Sequence, residues 1–302
     1  MNDRGMGGQD TSDQDVIDPR PKDPGREHGI EQIVVALDPS AHSRAALEAA
    51  VRMAGRFGAD LQALFIEDVN IRRLTGLSFV QEVGLYTASC RTVEVQELSR
   101  QLRVQAGRMK RRFGAMTRHI ETRCTFRQTR GQVASEVLGA AAGADVVVMG
   151  KGAWSPFETE RLASPVREVL REVPASSLVL RAGTRVEPPM RVVYDGTPLA
   201  DKALATAAEL AQDEDGHVMV FGLADDPDRA AHLENRVREQ LEGAELEVSF
   251  QILTEASVSR LAYLVAHEER GTLLLPVGSG ALEDEAVLDF LDETNAPVLL
   301  IR

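Results

Sequence analysis

Short, unbroken apolar runs alternate along the chain with longer stretches in which apolar residues return every third or fourth position. Val34-Val35-Ala36-Leu37, Val146 to Met149, Leu178 to Leu180 and Val298 to Ile301 carry no polar interruption, the pattern of a strand buried on both faces. Ala46, Ala50, Met53 and Phe57 keep helical spacing, as do Val95, Leu98, Leu102, Ala106, Met109 and Phe113, which predict a helix over 92–113. Strands are predicted near 32–38, 60–66, 120–127, 144–149 and 177–181. A second set follows near 190–195, 217–223, 246–253, 272–277 and 297–302. Strands alternating with helices imply parallel sheets covered on both faces, hence an α/β fold.

The two sets are copies. With Asp38 laid over Asp195, an offset of 157, Leu47 meets Leu204, Ala50 meets Ala207, Met53 meets Leu210 and Ala54 meets Ala211. Leu61 then lies over Val218 and Asp68 over Asp225. The closing strands match too: Ser177-Leu178-Val179-Leu180-Arg181 beside Val298-Leu299-Leu300-Ile301-Arg302. The organisation expected is a tail over 1–29, a domain over 30–183 with an insert at 70–91, and a second domain over 190–302. The tail is rich in Gly, Asp and Pro and nearly free of apolar residues, so it is read as disordered. Exposed closing strands would leave backbone groups unpaired, so the two copies are expected to pair through them.

Composition adds charge and removes several function classes. Residues 1–31 carry 4 Lys and Arg against 8 Asp and Glu, residues 32–189 carry 22 against 16, and residues 190–302 carry 8 against 23. A mildly basic block is thus joined to a strongly acidic one. Either the halves attract across an interface or the charges are solvated independently. The formal net charge of −13 speaks against nucleic-acid binding, and no apolar run approaches the roughly 18 residues of a membrane span. No signal pattern opens the chain. Two cysteines, Cys90 and Cys124, make no disulfide framework or zinc site and are read as packing residues. The expected home is the cytoplasm, with no membrane partner and no metal.

VVALDPSAHSRAALEAA from Val34, ADVVVMGKG from Ala144, the closing SLVLR, and VVYDGTPLADKALATAAELA from Val192 resemble the universal stress protein family. The resemblance covers about 32–181 and 190–302 and implies a tandem of two five-stranded, adenine nucleotide α-hydrolase-like (Rossmann-like) domains. It further implies pairing through the fifth strands, within one chain here. ATP-binding members carry G-x2-G-x9-G-[ST] after the fourth strand and an Asp at the end of the first, near the adenosine.

Glycines let a backbone approach phosphate closely, and a hydroxyl residue then opens a helix whose N-terminus favours anions. The first copy keeps that motif in part: Gly150 and Ser164 match, while Ala153 and Ala163 replace the other glycines. Gly152 stands one position early, and Lys151 and Arg161 offer positive charge. Asp38, Pro39 and Ser40 form the loop after the first strand. These ten residues are the candidate site for ATP or AMP. A plain capping role, Ser164 as N-cap with Pro165 at the first helical position, explains the same residues. In the second copy the span from Gly278 to Arg302 is 24 residues, against 31 from Gly150 to Arg181. Glu283, Asp284 and Glu285 stand there and would repel phosphate, so no nucleotide is expected in that copy.

The insert carries Leu74, Leu77, Phe79, Val83 and Leu85, apolar enough for a lid, a pocket lining or a packed loop. No metal spacing among the six histidines, no G-x-S-x-G and no G-x-x-x-x-G-K-[ST] appears, so no enzyme is expected; slow ATP hydrolysis stays open. Two readings remain: a stress-response protein binding ATP or AMP in the first copy, and a nucleotide-independent protein-interaction module. A protein partner and a homodimer stay open under both.

Overall fold

The computed structural model describes residues 29–69, 81–83, 90–92, 95–154, 161–212, 216–253, 270–278 and 284–302. The tail and most of the 70–91 insert therefore lie outside the described residues. Of the insert, a short antiparallel pair is described, β3 (Gln81–Val83) with β4 (Cys90–Thr92).

In the first half, β1 (Gln32–Leu37), α1 (Ala41–Phe57), β2 (Asp60–Asp68), α2 (Val95–Met116), β5 (Cys124–Gly131), α3 (Val133–Ala141), β6 (Val146–Gly150), α4 (Ser164–Glu172) and β7 (Ser176–Leu180) follow one another. The second half runs β8 (Met190–Tyr194), α5 (Pro198–Ala211), β9 (His217–Leu223), α6 (Pro227–Gln240), β10 (Glu247–Leu253), β11 (Thr272–Pro276), α7 (Asp284–Glu293) and β12 (Val298–Ile301).

The strands form one ten-stranded sheet in the order β10-β9-β8-β11-β12-β7-β6-β1-β2-β5. Pairing is parallel within each half and antiparallel at the β7–β12 seam, where Ser177, Leu178 and Val179 face Leu300, Leu299 and Val298. The fully apolar runs become the central strands: β6, β7, β8, β11 and β12 are buried at every position. Two apolar cores lie on opposite faces of the sheet, and each spans both halves. One packs α1, α2, α5 and α6; the other packs α3, α4 and α7.

The closing arginines have matching duties. Arg181 donates to the side chain of Asn295 in the second half (2.6 Å). Arg302 donates to the carbonyls of Val173 and Leu170 at the end of α4 (2.5 and 2.8 Å), satisfying acceptors that a helix end leaves open. The linker after β7 is pinned as well. Val186 is buried, its carbonyl accepts from Arg52 (3.2 Å), and Glu187 exchanges two bonds with Thr272 Oγ1.

One strand differs from the sequence pattern. β5 spans Cys124–Gly131 rather than 120–127, because α2 continues to Met116 and a turn at Thr117–Ile120 follows it. Residues 61–68 of β2 then pair with β5, from Leu61–Cys124 to Asp68–Gly131. Cys124 packs against the core, and burial, then the Asp60 charge, push its thiol pKa up. A raised pKa suits packing rather than thiolate chemistry.

Candidate functional site at the carboxyl end of β1 and β6

In the first half the chain leaves β1 toward β2 on one side and reaches β6 on the other, so the crevice between β1 and β6 is the switch point of that half. Asp38 follows β1 there and is 5% exposed. One carboxylate oxygen accepts from Ser40 N (2.9 Å), Ser40 Oγ (2.5 Å) and Ser43 Oγ (2.5 Å). The other accepts from the backbone N–H of Trp154 (2.6 Å). Four donors offset the cost of burying the charge. Ser40 also caps α1, accepting from Ser43 N (3.1 Å). Pro39 between them is exposed.

The turn Lys151–Trp154 follows β6 and is buried throughout. His42, in the first turn of α1, lies across both glycines. A Cβ on Gly150 would stand 2.6 Å from His42 Cβ, and one on Gly152 would stand 2.8 Å from His42 Nε2. The glycines thus let α1 approach the turn. His42 Nδ1 in turn accepts from Ala182 N (3.2 Å). Ala153 is fully buried. Trp154 holds a positive φ of 59°, uncommon for a bulky residue. It is 5% exposed, with indole Nε1 3.4 Å from the Ile66 carbonyl of β2. The indole therefore reaches from the turn after β6 to the end of β2, past β1.

Lys151 points into the seam. Its Nζ, 3% exposed as a residue, donates to the carbonyls of Asp292 (3.0 Å) and Thr294 (2.8 Å) in the second half. The carboxylate of Asp292 answers by accepting from Leu162 N (2.7 Å) and from Arg167 (2.5 Å). A carboxylate of the second half thus sits before the N-terminus of α4, the kind of position an anion prefers. Arg161 is exposed. The N-cap of α4 is Ala163, without a side-chain bond, and Ser164 is its exposed first residue. The capping role read for Ser164 is therefore displaced by one residue, because Ala163 already has the extended backbone of a cap (φ −63°, ψ 145°). Residues 155–160 of this loop lie outside the described residues.

Copy two repeats the first corner. Asp195 accepts from Thr197 N (3.0 Å) and Oγ1 (2.6 Å), and Thr197 caps α5 by accepting from Ala200 N. Ala200 occupies the place of Ser43, which removes one donor. Tyr194 before it is buried, donates to Asp201 (2.6 Å), and Asp201 also accepts from Arg236. Burial first and the Asp201 bond second raise the pKa of that phenol. Gly278 keeps a positive φ; Gly280 and Glu283 lie outside the described residues.

Three residues that shape the site are absent from the sequence-based candidates: His42, Trp154 and Asp292. Signals existed for each. Trp154 is the single tryptophan and falls inside the glycine loop, His42 stands four residues after Asp38, and Asp292 belongs to the acidic block that one of the two charge readings set against the basic one. Among the described residues no group of three or more His, Cys, Asp or Glu side chains could hold a metal, and no helix is long and apolar enough to cross a membrane.

Among solved structures, a universal stress protein from Archaeoglobus fulgidus DSM 4304 matches with a TM-score of 0.64 and 16% identity, over 90% of this chain and 98% of that one. A functionally unknown protein of Pseudomonas aeruginosa matches with a TM-score of 0.53 and 14% identity, over 91% and 93%. Both show the fold over nearly the whole length. Among curated proteins, none matches the sequence. The family model for universal stress proteins matches residues 29–181, the half that carries Asp38, Gly150 and Ser164. The chain belongs to the universal stress protein family.

Proposed function

We propose that this chain is a non-enzymatic regulatory member of its family, built as domains 30–183 and 190–302, whose output is a protein contact and not a nucleotide signal. The observation that carries this reading is the occupation of the loop after β6 by the second half. Asp292 holds Leu162 N–H and Arg167, and two carbonyls of the second half hold Lys151. Lys151 and the N–H of Leu162 before α4, two groups that could meet a phosphate, are engaged in the seam. Asp38, which matches the Asp near the adenosine in ATP-binding members, has both oxygens engaged by Ser40, Ser43 and Trp154. In this reading the former ligand loop is a joint between domains, and stress-linked regulation runs through surfaces outside it.

The second reading, one ATP or AMP per chain in domain 30–183, rests on the retained Asp38, Gly150 and Ser164. In it, a phosphate at the start of α4 replaces Asp292 as the acceptor from Leu162 N–H and Arg167. Calorimetry with ATP and AMP separates the two, together with the ultraviolet spectrum of material released on denaturation. The wild type and the Ala153→Gly/Ala163→Gly form should take up no nucleotide. Binding near one per chain, abolished by Asp38→Ala and untouched by Asp195→Ala, would establish the second reading instead.

A further inference from the structure

Among the described residues, β5 and β10 are the edge strands of the ten-stranded sheet, and the two ends carry opposite charge. Residues 95–131, which include α2 and β5, hold ten Lys and Arg against two Glu. Arg100, Arg108, Lys110, Arg111, Arg118, Arg127 and Arg130 are exposed. Arg112 turns toward α1, where it pairs with Glu48. Arg103, nine residues earlier, is on the opposite flank of the helix at 100° per residue, and Lys110 is close to that flank. Because α2 packs on β2 and β5, that flank faces away from α1.

At the other end, residues 225–253 hold eight Asp and Glu against three Arg. The arginines have local tasks: Arg236 pairs with Asp201, Arg238 with Glu234, and Arg229 donates to the Asp195 carbonyl. Glu239, Glu242, Glu245 and Glu247 are exposed around the start of β10. Val248 on β10 is 39% exposed, one of two large apolar side chains exposed among the described residues.

We propose that a second copy of this chain docks edge to edge, β10 of one molecule against β5 of the next. Strand direction permits it. The halves run antiparallel at the seam, so a copy displaced along the sheet presents β10 antiparallel to β5. In that arrangement the start of β10, with Glu242, Glu245 and Glu247, meets the end of β5, with Arg127 and Arg130. Main-chain hydrogen bonds supply the contact, as in strand addition, and charge supplies the choice of partner. Like charges on an edge guard it against its own kind. Here β5 repels β5 and β10 repels β10, which leaves the unlike pairing. An interface between unlike patches does not close on itself at two, and copies related by displacement along the sheet extend as an open row. The proposal is independent of whether a nucleotide binds.

Sedimentation velocity on the full chain over a rising concentration series tests it, at low and at high salt. At low salt the weight-average mass should climb past twice 32.9 kDa without a plateau. It should fall back to one chain near 1 M salt, where the screening length shrinks to about 3 Å. Arg127→Glu with Arg130→Glu should abolish growth, and so should Glu245→Lys with Glu247→Lys. An equimolar mixture of these two forms restores complementary edges at every junction and should grow again. A wild type that stays monomeric, a plateau at two chains, growth indifferent to either reversal, or a mixture that stays monomeric would each overturn the proposal.

Discussion

Asp38 and Asp195 occupy equivalent corners with different burdens. Asp38 is buried and holds a turn from another strand, whereas Asp195 is half-buried and holds its own cap. Asp38→Ala should therefore cost about 3 kcal/mol, since the Trp154 N–H and the Ser43 hydroxyl lose their acceptor. Asp195→Ala should cost about 1 kcal/mol. Urea unfolding of both variants checks the order, and equal losses would remove the distinction. Tyr194 gives a pH dependence with a definite sign. Its folded-state pKa is raised above the ordinary phenol value of 10.0, so the unfolded chain gives up the proton first. Its contribution is fully present below pH 10 and is lost as pH climbs above that. Tyr194→Phe should flatten this alkaline loss, as read from unfolding midpoints at pH 8 and above pH 10. The sequence carried the Asp38 corner well, because strand, Asp and cap are contiguous. It carried Trp154 poorly, because the carbonyl beside that indole lies on Ile66, 88 positions away.

At the scale of elements, α4 and α7 meet across the seam with opposite charge. Arg167 reaches Asp292 at 2.5 Å, Asp289 at 3.6 Å and Glu285 at 3.7 Å. The Asp292 pair is mostly shielded, while Arg171–Glu285 is exposed at 49% and 63%. Asp292→Ala should cost about 2 kcal/mol, because Leu162 N–H and Arg167 lose a shared acceptor. Loss of the Arg171–Glu285 pair should cost less than about 1 kcal/mol and vanish in high salt. Thermal melts at two salt concentrations separate these outcomes. The closing strands were legible because an apolar run ending in Arg recurs in both copies, and the uneven charge pointed to their union. The start of β5 was not, because its residues Cys124 to Gly131 are half polar: an edge strand keeps one side toward solvent, so its pattern does not mark its ends.

For the whole molecule, each apolar core crosses from one half to the other. Tandem domains with a small interface unfold separately; here the shared sheet and cores should give one cooperative transition, with calorimetric and van't Hoff enthalpies in agreement. Two resolved transitions would show that the seam is weaker than its burial implies. The repeat and the family were readable because a duplicated α/β unit preserves spacing. The occupied loop was not, because it depends on how two remote pieces meet. The central position of the seam also bears on how the protein is made. β7 is finished at Leu180, whereas its neighbour β12 begins at Val298, roughly 120 residues later. At about 5–20 residues per second, a ribosome leaves the apolar border of the first five strands without its partner for roughly 6 to 24 s. During that interval the nascent chain is most open to pairing with another nascent chain, and to capture by chaperones that recognise unpaired strands.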